Sequence, residues 1–159
     1  MKSTTELIKH SSLGSELSDH EAGVLGDLMS TLELKDGDYL LTEGTTDDTL
    51  HLLLSGKLEV VKKTGADETA TLAILRDGAL AGEMSFVDGA AHTVGLRALC
   101  DCSILSLTRE DFEKIVDDNP KLVYKVMRAI TRSTHKILQR MNHEFIEVSN
   151  YIFKQHGRY

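Results

Sequence analysis

Gly82-Glu83-Met84-Ser85-Phe86, then Asp88-Gly89, then His92-Thr93: this short stretch gathers residue types that could handle a small polar ligand. Gly82 lets a ligand come close to the backbone, and the carboxylate of Glu83 beside it can accept from a hydroxyl. Met84-Ser85-Phe86 is long enough for one helical turn, whose free N–H groups would face an anion. Asp88-Gly89 closes the loop, and His92-Thr93 returns an imidazole and a hydroxyl to the same place. A hydroxyl acceptor, backbone donors and two returning polar side chains are what a nucleotide phosphate and sugar require. A Gly-Glu pair alone has no such meaning. The combination with a one-turn helix and a hydroxyl ten residues on from Glu83 gives it one.

The elements around this stretch can be read from periodicity. Residues 1–17 are polar apart from Leu7, Ile8 and Leu13 and predict a loose helix. Ser18-x-x-Glu21 is a capping box, followed by Val24, Leu25, Leu28 and Met29 at helical spacing. From Thr31 the period changes to two, with turns at Asp36-Gly37, Glu43-Gly44, Ser55-Gly56, Thr64-Gly65-Ala66 and Asp77-Gly78. Eight short strands are expected, over 31–34, 38–42, 49–54, 57–63, 68–75, 79–81, 93–99 and 102–108. No helix-length segment separates them, so the pattern favours a mainly β, jelly-roll-like β-roll over a parallel sheet. Thr108-x-x-Asp111 caps a short helix, and Asn119-Pro120 opens a long one. Ile130, Ile137, Met141, Phe145, Val148 and Ile152, with Thr134 between, then recur three and four apart to about Lys154. At 1.5 Å per residue this helix reaches roughly 50 Å, more than the roll needs. Its apolar stripe either packs back on the roll or forms a parallel coiled-coil dimer, and the surplus length favours the dimer.

Gly82-Glu83-Met84-Ser85-Phe86, Asp88-Gly89 and His92-Thr93 resemble the phosphate-binding cassette of the cyclic nucleotide-binding domain family. Gly37-Asp38-Tyr39-Leu40-Leu41, Glu43-Gly44, Leu50 to Leu54, Ser55-Gly56-Lys57-Leu58 and Asp77-Gly78 follow that family's strand and turn order, from about Leu32 to Ile152. The resemblance implies a β-roll over 31–108 holding the cassette at 82–93, with helices at 1–30 and 109–155, the whole of 1–159 being one such domain. It implies that Glu83 accepts from a ribose 2′-hydroxyl, that Gly82, Met84 and Ser85 offer backbone N–H groups, and that Thr93 donates to the phosphate of cyclic AMP or cyclic GMP. Near Ser133, Thr134 and Ile137 it implies a contact with the base, and it implies a homodimer through the long helix. The cassette departs from the family at one point. Where the family carries Pro-Arg-Ser/Thr-Ala, this chain has Ala91-His92-Thr93-Val94, so His92 stands in place of the arginine that holds the phosphate. An imidazole brings one donor to the anion, and no permanent charge or fork.

Composition narrows the remaining classes. The chain has 159 residues, 41% hydrophobic and 27% charged, as expected of one soluble domain. No apolar run approaches the ~20 residues of a membrane span, and the N-terminus has no signal-peptide core. Two cysteines, Cys100 and Cys102, are read as core thiols of a cytoplasmic protein. A net charge of −7 weighs against nucleic acid as a partner, as does the absence of a helix-turn-helix after the long helix. His51 and His92 read as isolated, so no metal or other cofactor is expected; without a catalytic signature, neither is an enzyme. Arg97 shares the strand parity of Thr93, with surface solvation the blander use of it, and Arg128, Arg132 and Lys136 read as a solvated charged face. Two readings stand: a cyclic nucleotide sensor signalling to an effector protein, or a degenerate module serving dimerisation or docking without nucleotide. The intact Gly82-Glu83 and Thr93 favour the first, and His92 favours the second.

Overall fold

The computed structural model describes residues 1–156. Two capping boxes organise its start. Ser3 and Glu6 exchange side chain to backbone hydrogen bonds to open α1 (Thr4–Lys9), and Ser18 and Glu21 do the same for α2 (Asp19–Leu28). The loose helix expected over residues 1–17 is corrected: α1 ends at Lys9, and Ile8, Leu13 and Leu17 are all buried in the main core. The turn after α1 packs so tightly that a side chain at Gly14 would lie 2.2 Å from the Ile8 carbonyl oxygen.

Eight strands follow, each within two residues of its expected bounds: β1 (Ser30–Leu34), β2 (Tyr39–Leu41), β3 (Thr49–Ser55), β4 (Leu58–Lys63), β5 (Thr69–Leu75), β6 (Leu80–Ala81), β7 (Gly95–Ala98) and β8 (Cys102–Thr108). The short helix α3 (Glu83–Asp88) lies between β6 and β7, while α4 (Arg109–Glu113) and α5 (Pro120–His156) follow β8. The strands form two four-stranded antiparallel sheets, ordered β1-β8-β3-β6 and β2-β7-β4-β5. This is the jelly-roll-like β-roll with a long C-terminal helix that the periodicity predicts.

Side-chain alternation divides the first sheet between two cores. Leu50, Leu52, Leu105 and Leu107 face the helices, where they meet Ile8, Leu25, Leu122 and Val126. Leu53, Cys102 and Ile104 face the second sheet and meet Leu41, Leu58 and Leu96. His51 and Ser106 are register partners on β3 and β8, and they share the inward parity of Leu53 and Ile104. Phe86 of α3 enters the helical core, its ring centroid 5.3 Å from that of Phe112 on α4. One apolar side chain therefore ties the cassette segment to the helices.

At 37 residues α5 is about 55 Å long. Its first turns are anchored by Leu122, Val126 and Ala129, and by Lys125 Nζ on Glu21 Oε1 at 2.7 Å. Ile130 also belongs here, which corrects its place in the expected dimer stripe: it is only 4% exposed and packed within its own chain. From Ile137 onward the helix leaves the roll, and Met141, Phe145, Val148 and Ile152 are exposed. No helix among the described residues is long and apolar enough to cross a membrane.

Candidate functional site

Gly82 begins the site and is required there. Its φ of +76° lies in the left-handed region, and a Cβ at this position would stand 2.7 Å from the Thr49 carbonyl oxygen. The following turn of α3 makes its first helical bond from Phe86 N to Gly82 O, leaving the N–H groups of Met84 and Ser85 at its open end. Gly89, again left-handed at φ +70°, ends α3 by donating to Ser85 O.

Glu83 is held largely out of water, and its Oε1 is buried with no hydrogen-bond partner. Burial pushes its carboxyl above the ordinary range; its own N–H, the Ser133 hydroxyl of α5 and the nearby His51 offset this only in part. A buried, unsatisfied carboxylate oxygen is costly unless something arrives to fill it. A ligand hydroxyl is a donor of the right kind.

His51 and His92, isolated in the sequence, are joined in space by Asp47. His51 Nε2 donates to Asp47 Oδ2 at 2.8 Å, and His92 Nε2 donates to Asp47 Oδ1 at 3.1 Å. The other ring nitrogen of His51, Nδ1, lies 2.8 Å from its cross-strand neighbour Ser106 Oγ. Burial works against charge on Asp47, but the bond and charge of His51, the Thr49 N–H and the charge of His92 outweigh it, so its carboxyl is held below the usual carboxylate range. Both imidazoles are buried, and the His92 backbone is pinned by His92 N to Thr45 O at 2.7 Å and Gly44 N to His92 O at 2.8 Å. The His92 imidazole is thus bonded to an acid of its own chain.

Ser85 does more than offer a backbone N–H. Its buried hydroxyl accepts from Asp47 N and Asp48 N, both at 3.2 Å, and so holds the loop that carries Asp47. Asp48 is the one non-glycine residue among those described with a positive φ, at 50°. Arg109, at the start of α4, completes the frame. It donates to Phe86 O and Ser85 O, both at 2.7 Å, and to Asp48 Oδ1 at 3.2 Å, covering the carbonyl end of α3.

The other expected site residues are more dispersed. Met84 and Thr93 are exposed, and Thr93 uses its carbonyl to accept from Lys62 Nζ at 2.7 Å. Ser133 approaches Glu83, whereas Thr134 donates its hydroxyl to Ile130 O at 3.1 Å on its own helix. Ile137 borders a cleft under α5 together with Ser133. Arg97 is committed elsewhere, with Nε and Nη2 on Glu59 Oε2 at 3.2 and 2.7 Å. Asp47, Ser106 and Arg109 escaped the sequence reading because, apart from the Asp47–His51 pair four residues apart, their partners lie 23 to 61 residues away. Among the described residues no group of three His, Cys, Asp or Glu side chains could hold a metal ion.

Residues 31–119 match the family model of the cyclic nucleotide-binding domain. Over 135 residues, 80% of this chain, the sequence is 25% identical to neuropathy target esterase sws of Drosophila melanogaster. The chain spans about a tenth of that protein's length. Among solved structures, the fold is similar to a cyclic nucleotide-binding domain from Methylobacillus flagellatus KT. The two share 27% identity at a TM-score of 0.70, covering 96% of this chain and 82% of that one. It is also similar to the Thermus thermophilus catabolite activator protein, with 24% identity and a TM-score of 0.75 over 87% of this chain and 63% of that one.

Proposed function

Since the chain belongs to the cyclic nucleotide-binding domain family, we propose that it is a cyclic nucleotide sensor in which Glu83 takes the ribose hydroxyl and α5 passes on the result. The observation that carries this reading is the buried Glu83 Oε1, left without a partner beside a helix that leaves the roll. A 2′-hydroxyl donated to that oxygen would satisfy it on the carboxylate that Ser133 of α5 also approaches. Binding would then alter how α5 is held near its exit from the core. The backbone N–H groups of Gly82, Met84 and Ser85, with Thr93 and His92, are the proposed phosphate contacts. Ser133, Thr134 and Ile137 are the proposed neighbours of the base.

On this reading the module binds rather than catalyses. It acts in the cytoplasm on an effector protein, and the free thiols Cys100 and Cys102 suit a reducing compartment. The exposed stripe of Ile137, Met141, Phe145 and Val148 joins two copies. The acidic surface argues against direct contact with DNA.

The Asp47–His92 bond favours a second reading, a nucleotide-free dimerisation or docking module, because the residue in the arginine's place already has an anion. Titration calorimetry of the protein with cyclic AMP and cyclic GMP separates the two. Saturable binding that Glu83→Ala weakens supports the sensor, and no heat with either nucleotide supports the docking module.

A further inference from the structure

Beneath α5 lies an open cleft of about 600 Å³, a volume within the range of small-molecule sites. None of its lining residues lies in the cassette at 82–93; it meets the proposed cyclic nucleotide site through Ser133, which also approaches Glu83, and through Ile137, both proposed neighbours of the base. One wall is cationic. Arg132, Lys136 and Arg140 recur every fourth residue along α5, so their Cα atoms span about 12 Å, and His10 stands among the lining residues from beyond the end of α1. Ser11, Ser12 and Ser15 supply further polar groups, and Leu75, Leu80 and Ala129 supply apolar surface.

Such a wall is unexpected on a chain of net charge −7. Arg132 is paired with Glu16 at 3.1 Å, and the same carboxylate takes Arg128 at 3.8 Å. Lys136 and Arg140 have no acidic partner among the described residues. At 100° per residue, Lys136 at the centre of this face is turned about 140° from the centre of the Ile137–Met141–Phe145 stripe, and Arg140 flanks the stripe, so pairing of two copies along it leaves Lys136 open.

We propose that this cleft is a second ligand site, for a nucleoside di- or triphosphate whose phosphates lie along Lys136 and Arg140 and whose base and sugar rest on Leu75, Leu80 and Ala129. The charge of the wall selects the ligand class. Two uncommitted cations a helical turn apart match linked phosphates better than the single charge of a cyclic phosphate, and the apolar surface with its hydroxyls suits a nucleoside better than a bare polyanion. Because Ser133 and Ile137 border both sites, occupancy of one bears on the other through α5.

The test is calorimetric titration of the full chain with ADP, GTP and inorganic pyrophosphate, on the native protein, on Lys136→Gln/Arg140→Gln and on Glu83→Ala. Both substituted cations are exposed, so the double variant keeps its fold. The expected result is saturable, sub-millimolar binding of ADP or GTP that exceeds that of pyrophosphate. It weakens about tenfold or more in the double variant and on raising salt, and it persists in Glu83→Ala. No binding of either nucleotide below millimolar concentration, or equal affinity in the double variant, overturns the proposal. Loss of ADP binding in Glu83→Ala also overturns it, since the cleft would then be part of the cassette site; the cassette reading itself fails separately, on cyclic AMP.

Discussion

Replacing Glu83 by glutamine should make the protein more stable and less able to bind ligand. In the native chain Oε1 is buried without a partner, and burial holds the carboxyl above its ordinary range. Leaving such an atom unsatisfied costs about 1–3 kcal/mol, more when the group is charged. Glutamine keeps the shape and removes the charge, so Tm at neutral pH should rise by about 2–4 °C for each kcal/mol recovered. The pH dependence has a definite sign. A carboxyl whose folded pKa is raised leaves the native state with more bound protons than the unfolded one, so its ionisation lowers stability as pH rises from the ordinary value towards the folded one. The advantage of Glu83→Gln should therefore be complete above the folded pKa and disappear as pH falls below about 4.5. Thermal unfolding of both proteins from pH 4 to 8 measures this. A variant that is less stable at pH 7, or an advantage that grows in acid, would refute the account of Glu83 as an acid held ready for a donor.

Further expectations concern the residues around it. His92→Arg brings a permanent charge and two donors to the cassette, and titration at pH 7.5 should show cyclic nucleotide binding stronger by about 1.5–3 kcal/mol; no gain would favour the docking module. Arg109→Gln withdraws the guanidinium from Phe86 O, Ser85 O and Asp48, so it should cost about 1–3 kcal/mol in chemical denaturation and raise hydrogen exchange in α3. Charged residues at Ile137 and Met141 would set unpaired charges in an apolar seam, so light scattering should find a dimer for the native chain and a folded monomer for the variant.

The strands were legible because glycine turns and alternating apolar residues mark each one locally, and α2 because Ser18 and Glu21 cap it three residues apart. The cassette loop could be read for the same reason: Gly82 and Gly89 sit at the two positions around α3 with positive φ. The Asp47 cluster could not. Nothing near Asp47 announces that strand pairing sets His51 against Ser106, or that a loop 45 residues on returns His92 to the same carboxylate. Ser85 was read for its backbone alone, since only the folded loop shows its hydroxyl holding Asp47 and Asp48. Ile130 fits the helical stripe by spacing, but the stripe spans two environments, and burial against the roll ends between Ile130 and Ile137.

The central claim is that Glu83 receives a ribose hydroxyl, and its most direct measurement compares cyclic AMP with 2′-deoxy cyclic AMP on the native protein and on Glu83→Ala. A charge-assisted hydrogen bond contributes about 1.5–3 kcal/mol, so the native protein should prefer cyclic AMP by roughly ten- to a hundredfold. The variant should bind the two nucleotides alike. Equal affinity for both on the native protein, or an undiminished preference in the variant, would contradict the account.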